Sequence, residues 1–152
     1  MCQYEYEGFR LLCDPWLIPG AFGTWTHDPP VSTTPEDVCD ADALYISHIH
    51  PDHLSEPTLA YFRRDIPILT LKDRLSLCAR HLKRAGFTAI TALEDHQSAH
   101  VGPFHVTMFA PFTKHPFHEA DCEIGNVVDS AILVRQGDLT ILNCNDNALN
   151  VK

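Results

Sequence analysis

The stretch from Ala43 to Leu93 constrains the fold more than any other part of the chain. Three short β-leaning runs read as strands: "ALYIS" (43–47) and "IPILTL" (66–71) as buried strands and "FTAITAL" (87–93) as a third. Two helix-like segments separate them. "SEPTLAYFRR" (55–64) opens with Ser55 as a cap and Glu56 and Pro57 in the first turn. "DRLSLCARHLKRAG" (73–86) predicts a helix capped by Asp73 and ended by Gly86, with Leu75, Cys78, Ala79 and Leu82 on one face. Strand–helix–strand–helix–strand implies a layered α/β domain with a mixed sheet.

Strands flank this middle. Gln3 to Cys13 reads as two short strands joined by a tight turn at Glu7 and Gly8. "FHVTMFA" (104–110), "DSAILVRQ" (129–136) and "LTILNCN" (139–145) continue the series, the last two joined by a turn at "QGD". Residues 14–35 hold five prolines and two glycines, a long irregular loop of the kind that is usually functional or lid-like. Its aromatic residues, Trp16, Phe22 and Trp25, suit either a pocket wall or packing onto the core. His96 and His100 read as surface residues of a polar loop.

At 152 residues the chain suits one domain, 1–152. Its 20 acidic against 11 basic residues repel phosphate backbones, so a nucleic-acid partner is not expected. No apolar run approaches a membrane span, and the start "MCQYEYEGFR" lacks a signal-peptide pattern. The expectation is a cytoplasmic protein with no membrane partner. Six scattered cysteines form no CxxC pair and fit reduced, mostly buried thiols.

The chemistry concentrates where the first buried strand ends, in "SHIHPDHL" (47–54). His48 and His50 alternate and can project to one side. Asp52 and His53, past Pro51, can serve a second point nearby. Imidazole and carboxylate together suit zinc, iron or manganese.

"SHIHPDHL" resembles the signature of the metallo-β-lactamase superfamily. "LLCDPWL" (11–17) and "ILNCNDN" (141–147) resemble further stretches of it. The combination is most similar to the CMP-N-acetylneuraminate hydroxylase-like branch, with the L-ascorbate-6-phosphate lactonase-like branch a relative. The resemblance implies an α/β fold of metallo-β-lactamase-like αββα type, here mainly its N-terminal half. It implies that His48 and His50 bind a first metal, and Asp52 and His53 a second. His115 or His118 would complete the first site, and Asp146 would bridge the two. Asp14 would support a ligating imidazole from behind. The implied cofactor is zinc, one or two ions, with iron or manganese as alternatives.

The implied activity is hydrolysis. A metal-bound hydroxide would attack a lactone, ester or phosphodiester of a small-molecule substrate, with Asp52 orienting it or accepting a proton. A second reading is the iron oxidoreductase component of a CMP-N-acetylneuraminate hydroxylase-like system. The Cys-x-His…Cys-x-x-His pattern of that family's iron–sulfur domain is absent here. The superfamily places a last metal-binding histidine near its C-terminus, and none follows His118. A third reading is therefore a non-catalytic, truncated metal-binding half. Such a chain would be an incomplete fold, finished by homo-oligomerisation or by a partner chain.

Overall fold

The computed structural model describes residues 1–73, 75–111 and 129–147. The first hairpin pairs β1 (Cys2–Tyr6) antiparallel with β2 (Phe9–Cys13). Its two turn residues, Glu7 and Gly8, have φ of 49° and 81°. Two left-handed residues in a two-residue loop match the twist of the flanking strands. Three further strands then add in parallel: β3 (Ala43–Tyr45), β4 (Ile68–Leu71) and β5 (Ile90–Leu93). The sheet order is β1-β2-β3-β4-β5. The crossovers carry α1 (Glu56–Leu59) and α2 (Leu77–Arg84).

A second, antiparallel sheet has the order β6-β7-β8-β9. Its strands are β6 (Ser98–Val101), β7 (Phe104–Phe109), β8 (Ala131–Gln136) and β9 (Leu139–Asn143). The two sheets stack because strand side chains alternate between faces. Leu12, Leu44, Ile46 and Ile68 face the helical side, packing with Leu59, Phe62, Cys78, Leu82 and Phe87. Leu11, Ala43, Tyr45 and Leu69 face the other way, onto Phe104, Val106, Met108, Ile132 and Val134. The layers are thus helices, mixed sheet, antiparallel sheet. β3 and β4 are buried along their whole length, as central parallel strands covered on both faces should be.

Three local expectations need correction. The segment around His100 is not a polar loop. It forms β6, with His100 opposite His105 across the hairpin and their rings 5.1 Å apart. "SAHVGPFHV" does alternate about a Gly–Pro turn, but its polar residues mask the period.

The second helix starts at Leu77, not near Asp73. Ser76 sits at φ 50°, which breaks helical continuity. Asp73 still satisfies the helix start, because its carboxylate accepts from the amides of Leu75 (2.7 Å) and Leu77 (3.0 Å). Leu75 consequently lies outside the apolar face and is exposed.

The first helix is only one turn long, Glu56–Leu59. Its Thr58 hydroxyl, fully buried, accepts from the backbone of Leu17 (3.1 Å) and Ile18 (3.2 Å). That pins the start of the long loop against the helix. Among the described residues no helix is long and apolar enough to cross a membrane.

Gly102, at φ 54°, turns the β6–β7 hairpin directly under the Phe9 ring, where a Cβ would overlap the ring carbons. Gly102→Ala should destabilise the protein by about 1–3 kcal/mol. Urea unfolding checks it: the midpoint should fall with an unchanged slope.

Candidate metal centre

Four chain segments meet at one end of the two stacked sheets. Parallel β2 and β3 both finish there, delivering Asp14 and Ser47–His48. Antiparallel β8 begins there and β9 ends there, delivering Asp129–Ser130 and Asn145–Asp146. Strand direction alone brings residues 14, 48, 129 and 146 together.

Ser47 is the junction. Its amide donates to Asp14 Oδ1 (2.8 Å) and its hydroxyl to Asp14 Oδ2 (2.8 Å). Its carbonyl accepts from the Ser130 hydroxyl (2.9 Å). Below it, the buried Tyr45 hydroxyl lies 2.9 Å from the Ser130 carbonyl oxygen and donates to it. The Asn145 side-chain amide donates to Tyr45 Oη (3.1 Å) and to the Ser130 carbonyl (2.7 Å). These bonds tie the end of β3 to both strands of the other sheet that carry site residues.

The same network orients the imidazoles. The Ser47 hydroxyl proton is already given to Asp14, so Ser47 Oγ faces the histidines as an acceptor. His48 Nδ1 lies 2.9 Å from Ser47 Oγ and 3.3 Å from Asp129 Oδ1. His53 Nδ1 lies 3.0 Å from Asp14 Oδ2 and 3.2 Å from Ser47 Oγ. Both Nδ1 atoms therefore carry a proton, which leaves Nε2 of each neutral ring with a free lone pair. Those lone pairs face one point. Asp146 Oδ2 is 3.6 Å from His48 Nε2 and 3.4 Å from His53 Nε2. His50 Nδ1 is 2.8 Å from His48 Nε2. Asp52 Oδ2 is 3.5 Å from His53 Nε2.

The donor set fits a transition-metal cation. His48, His50 and Asp146 each offer a ligand atom, and these lie within 4.8 Å of one another. Asp52 Oδ1 is shielded from solvent and has no hydrogen-bond partner among the described residues. An unpaired carboxylate oxygen at that depth needs a cation or a donor to offset its desolvation. His115 and His118 lie outside the described residues.

Around the cluster, a cavity of about 240 Å³ is lined by Cys2, Cys13, Asp14, His53, Asn143 and Asp146, among others. On the far side of the histidine turn a recess of about 340 Å³ lies between residues 18–21 and Ile49, Pro51 and Leu54. The long loop forms a rim: Phe22 packs at a tilt against Trp25 (4.7 Å) and meets the His50 ring edge-on (5.7 Å). Trp16 instead packs on His27 (4.2 Å).

Sequence reasoning did not single out Ser47, Asp129, Ser130 or Asn145. Asp129 and Ser130 precede a strand, and nothing in "VVDSAIL" says that the strand starts beside His48. Asn145 stands in the quoted "ILNCNDN", and its φ of 48° makes it a turn residue whose amide can reach inward.

No family model matches the sequence. Two curated relatives are similar over a part of it. The inactive cytidine monophosphate-N-acetylneuraminic acid hydroxylase of Homo sapiens is 55% identical over 65 residues, which is 39% of this chain and 13% of that protein. The cytidine monophosphate-N-acetylneuraminic acid hydroxylase of Pongo pygmaeus is also 55% identical over 65 residues, 11% of its length.

Solved structures match more of the chain. An isothiocyanate hydrolase from Delia radicum gut bacteria superposes with a TM-score of 0.72 at 21% identity, covering 92% of this chain and 57% of that one. The metallo-β-lactamase fold protein YhfI of Bacillus subtilis superposes at 0.55 with 18% identity, covering 92% and 51%. The chain has the metallo-β-lactamase fold. Another protein similar to it, CmlA, a diiron β-hydroxylase from Streptomyces venezuelae, superposes at 0.67 with 20% identity, covering 92% and 26%. The chain thus spans about half of two of these structures and much less of CmlA and of the curated relatives. Within the metallo-β-lactamase fold, residues 47–54 form the loop after the third strand of the mixed sheet.

Two histidines of this loop are shifted in opposite directions. Burial, with the neighbouring His48 second, lowers the pKa of His50 below 6.5 despite the carboxylates around it. Burial also opposes charging of His53. The hydrogen bond and charge of Asp14, with Asp146 and Asp52, outweigh it and raise His53 above 6.5. In the metal-free protein, NMR titration should show the His53 imidazole protonating at higher pH than that of His50. The His53 contribution to stability is then full below pH 6.5 and is lost as pH rises through its raised folded value. Asp14→Asn should bring the His53 midpoint down; an unchanged midpoint would contradict the assigned contact.

Proposed function

We propose that the chain is the metal-binding part of a metal-dependent hydrolase. The observation that carries this reading is the convergence of His48, His50 and Asp146 beside Asp52 Oδ1, which has no hydrogen-bond partner among the described residues. His48, His50, Asp52, His53 and Asp146 would hold the metal, zinc first, with His115 or His118 as a further ligand. A divalent ion held there supplies Lewis acidity, acidifying water toward neutral pH and favouring negative charge on a substrate oxygen. The protein residues do the rest. Asp14 and Asp129 hold the imidazoles with Nε2 inward. Asp52 takes a proton from the attacking water and returns it to the leaving group. The recess beside Ile49 and Pro51 would receive the apolar part of a small lactone, ester or phosphodiester.

We propose that residues 1–152 form one unit whose sheets are extended by further chain or by a partner. The support is the share of its relatives that it spans, 57% of the isothiocyanate hydrolase. A cytoplasmic setting accords with the free, partly buried Cys2, Cys39 and Cys144 and the buried Cys13 and Cys78.

One set of observations favours a second reading, an iron-dependent oxidoreductase component. These are the 55% identity with cytidine monophosphate-N-acetylneuraminic acid hydroxylases and the fold shared with a diiron β-hydroxylase. Loading separates the two. Zinc-loaded protein should hydrolyse members of a chromogenic lactone, ester and phosphodiester panel. Asp52→Asn should lower kcat per bound metal by about 10²–10⁴-fold and weaken metal affinity, so turnover is normalised to the metal measured in each protein. Turnover unaffected by Asp52→Asn would remove Asp52 from the chemistry, and oxidation of substrate by the iron form alone would favour the second reading.

A further inference from the structure

Cys2 and Cys13 stand directly opposite each other across the β1–β2 ladder. Opposed residues on antiparallel strands are roughly 4.5–5.5 Å apart at Cα, inside the roughly 4.4–6.8 Å span of disulfides. Their side chains share a face, and Cys2 packs against the core cluster that holds Cys13. The Asn143 amide donates to Cys2 Sγ from β9 (3.4 Å). Both cysteines line the 240 Å³ cavity beside the metal centre, Cys2 partly accessible and Cys13 buried. Cys78, by contrast, lies in the helix-side core.

We infer that Cys2 and Cys13 are a peroxide-oxidisable dithiol site that closes to a cross-strand disulfide. The oxidant is a hydroperoxide reaching the cavity. Cys2 sulfur attacks one peroxide oxygen, the O–O bond breaks, and a sulfenic acid and one water (or alcohol) leave the step. Cys13 sulfur then attacks the sulfenic sulfur. Its proton joins the departing hydroxyl as a second water, and the S–S bond forms. Two thiols are oxidised and one peroxide is reduced. The division of labour follows the surroundings. The facing Cys13 side chain, working against burial, draws the Cys2 thiol down to about 7, whereas burial pushes the Cys13 thiol up. The closed link would lie one residue from Asp14, the carboxylate that holds His53.

The inference stands apart from the proposed hydrolase, since its test needs neither metal nor turnover. Reduced, metal-free chain is treated with hydrogen peroxide, its free thiols are counted after denaturation, and the linked peptides are mapped. Free thiols should fall from six to four (6 − 2), with Cys2 joined to Cys13 and full recovery by dithiothreitol. In Cys13→Ala, dimedone should trap a sulfenic acid at Cys2 that the wild type does not retain. A link joining other cysteines, or over-oxidised Cys2 with Cys13 still free, would overturn the inference.

Discussion

The candidate site depends on the hydrogen bonds that fix Ser47. A strand end is normally a place where backbone groups escape to water. Here the amide, hydroxyl and carbonyl of one residue are all bonded to protein, to Asp14 on one side and Ser130 on the other. Such a junction leaves the following turn little freedom. His48 is fully packed, and its ring direction is set by Ser47 and Asp129 before any ligand arrives. Preorganisation of this kind lets a small loop hold several groups in a fixed geometry.

The network also explains why two sheets are needed. The mixed sheet supplies Asp14 and the histidine turn; the antiparallel sheet supplies Asp129, Ser130, Asn145 and Asp146. Tyr45 and Asn145 bond across the gap. The inter-sheet core beneath, with Tyr45, Met108 and Ile132 fully buried, sets the sheet spacing and hence the distance from His48 to Asp146. The carboxylates of Asp14, Asp52, Asp129 and Asp146 surround three imidazoles. That field favours a bound cation and opposes an anion unless a metal intervenes.

Much of this was legible in the residue order. Buried strands 43–45 and 68–71 stood out because central parallel strands are apolar on both faces. The histidine turn stood out because ligand-type residues crowd a strand end. β6 did not, because an edge strand with polar alternate residues looks like a loop. Helix α1 is shorter than its start suggests, because Ser55, Glu56 and Pro57 announce a beginning but "AYFRR" carries no stop. Asp129 and Ser130 were invisible as site residues, since their role comes from strand direction in a sheet whose register no local pattern specifies.

The most direct test of the account is elemental analysis of the purified chain beside a His48→Ala/His50→Ala variant. The geometry predicts about one to two equivalents of zinc, iron or manganese per chain, lost in the variant while its circular dichroism is retained. Metal below about a tenth of an equivalent in both proteins, after incubation with each ion, would contradict the metal centre.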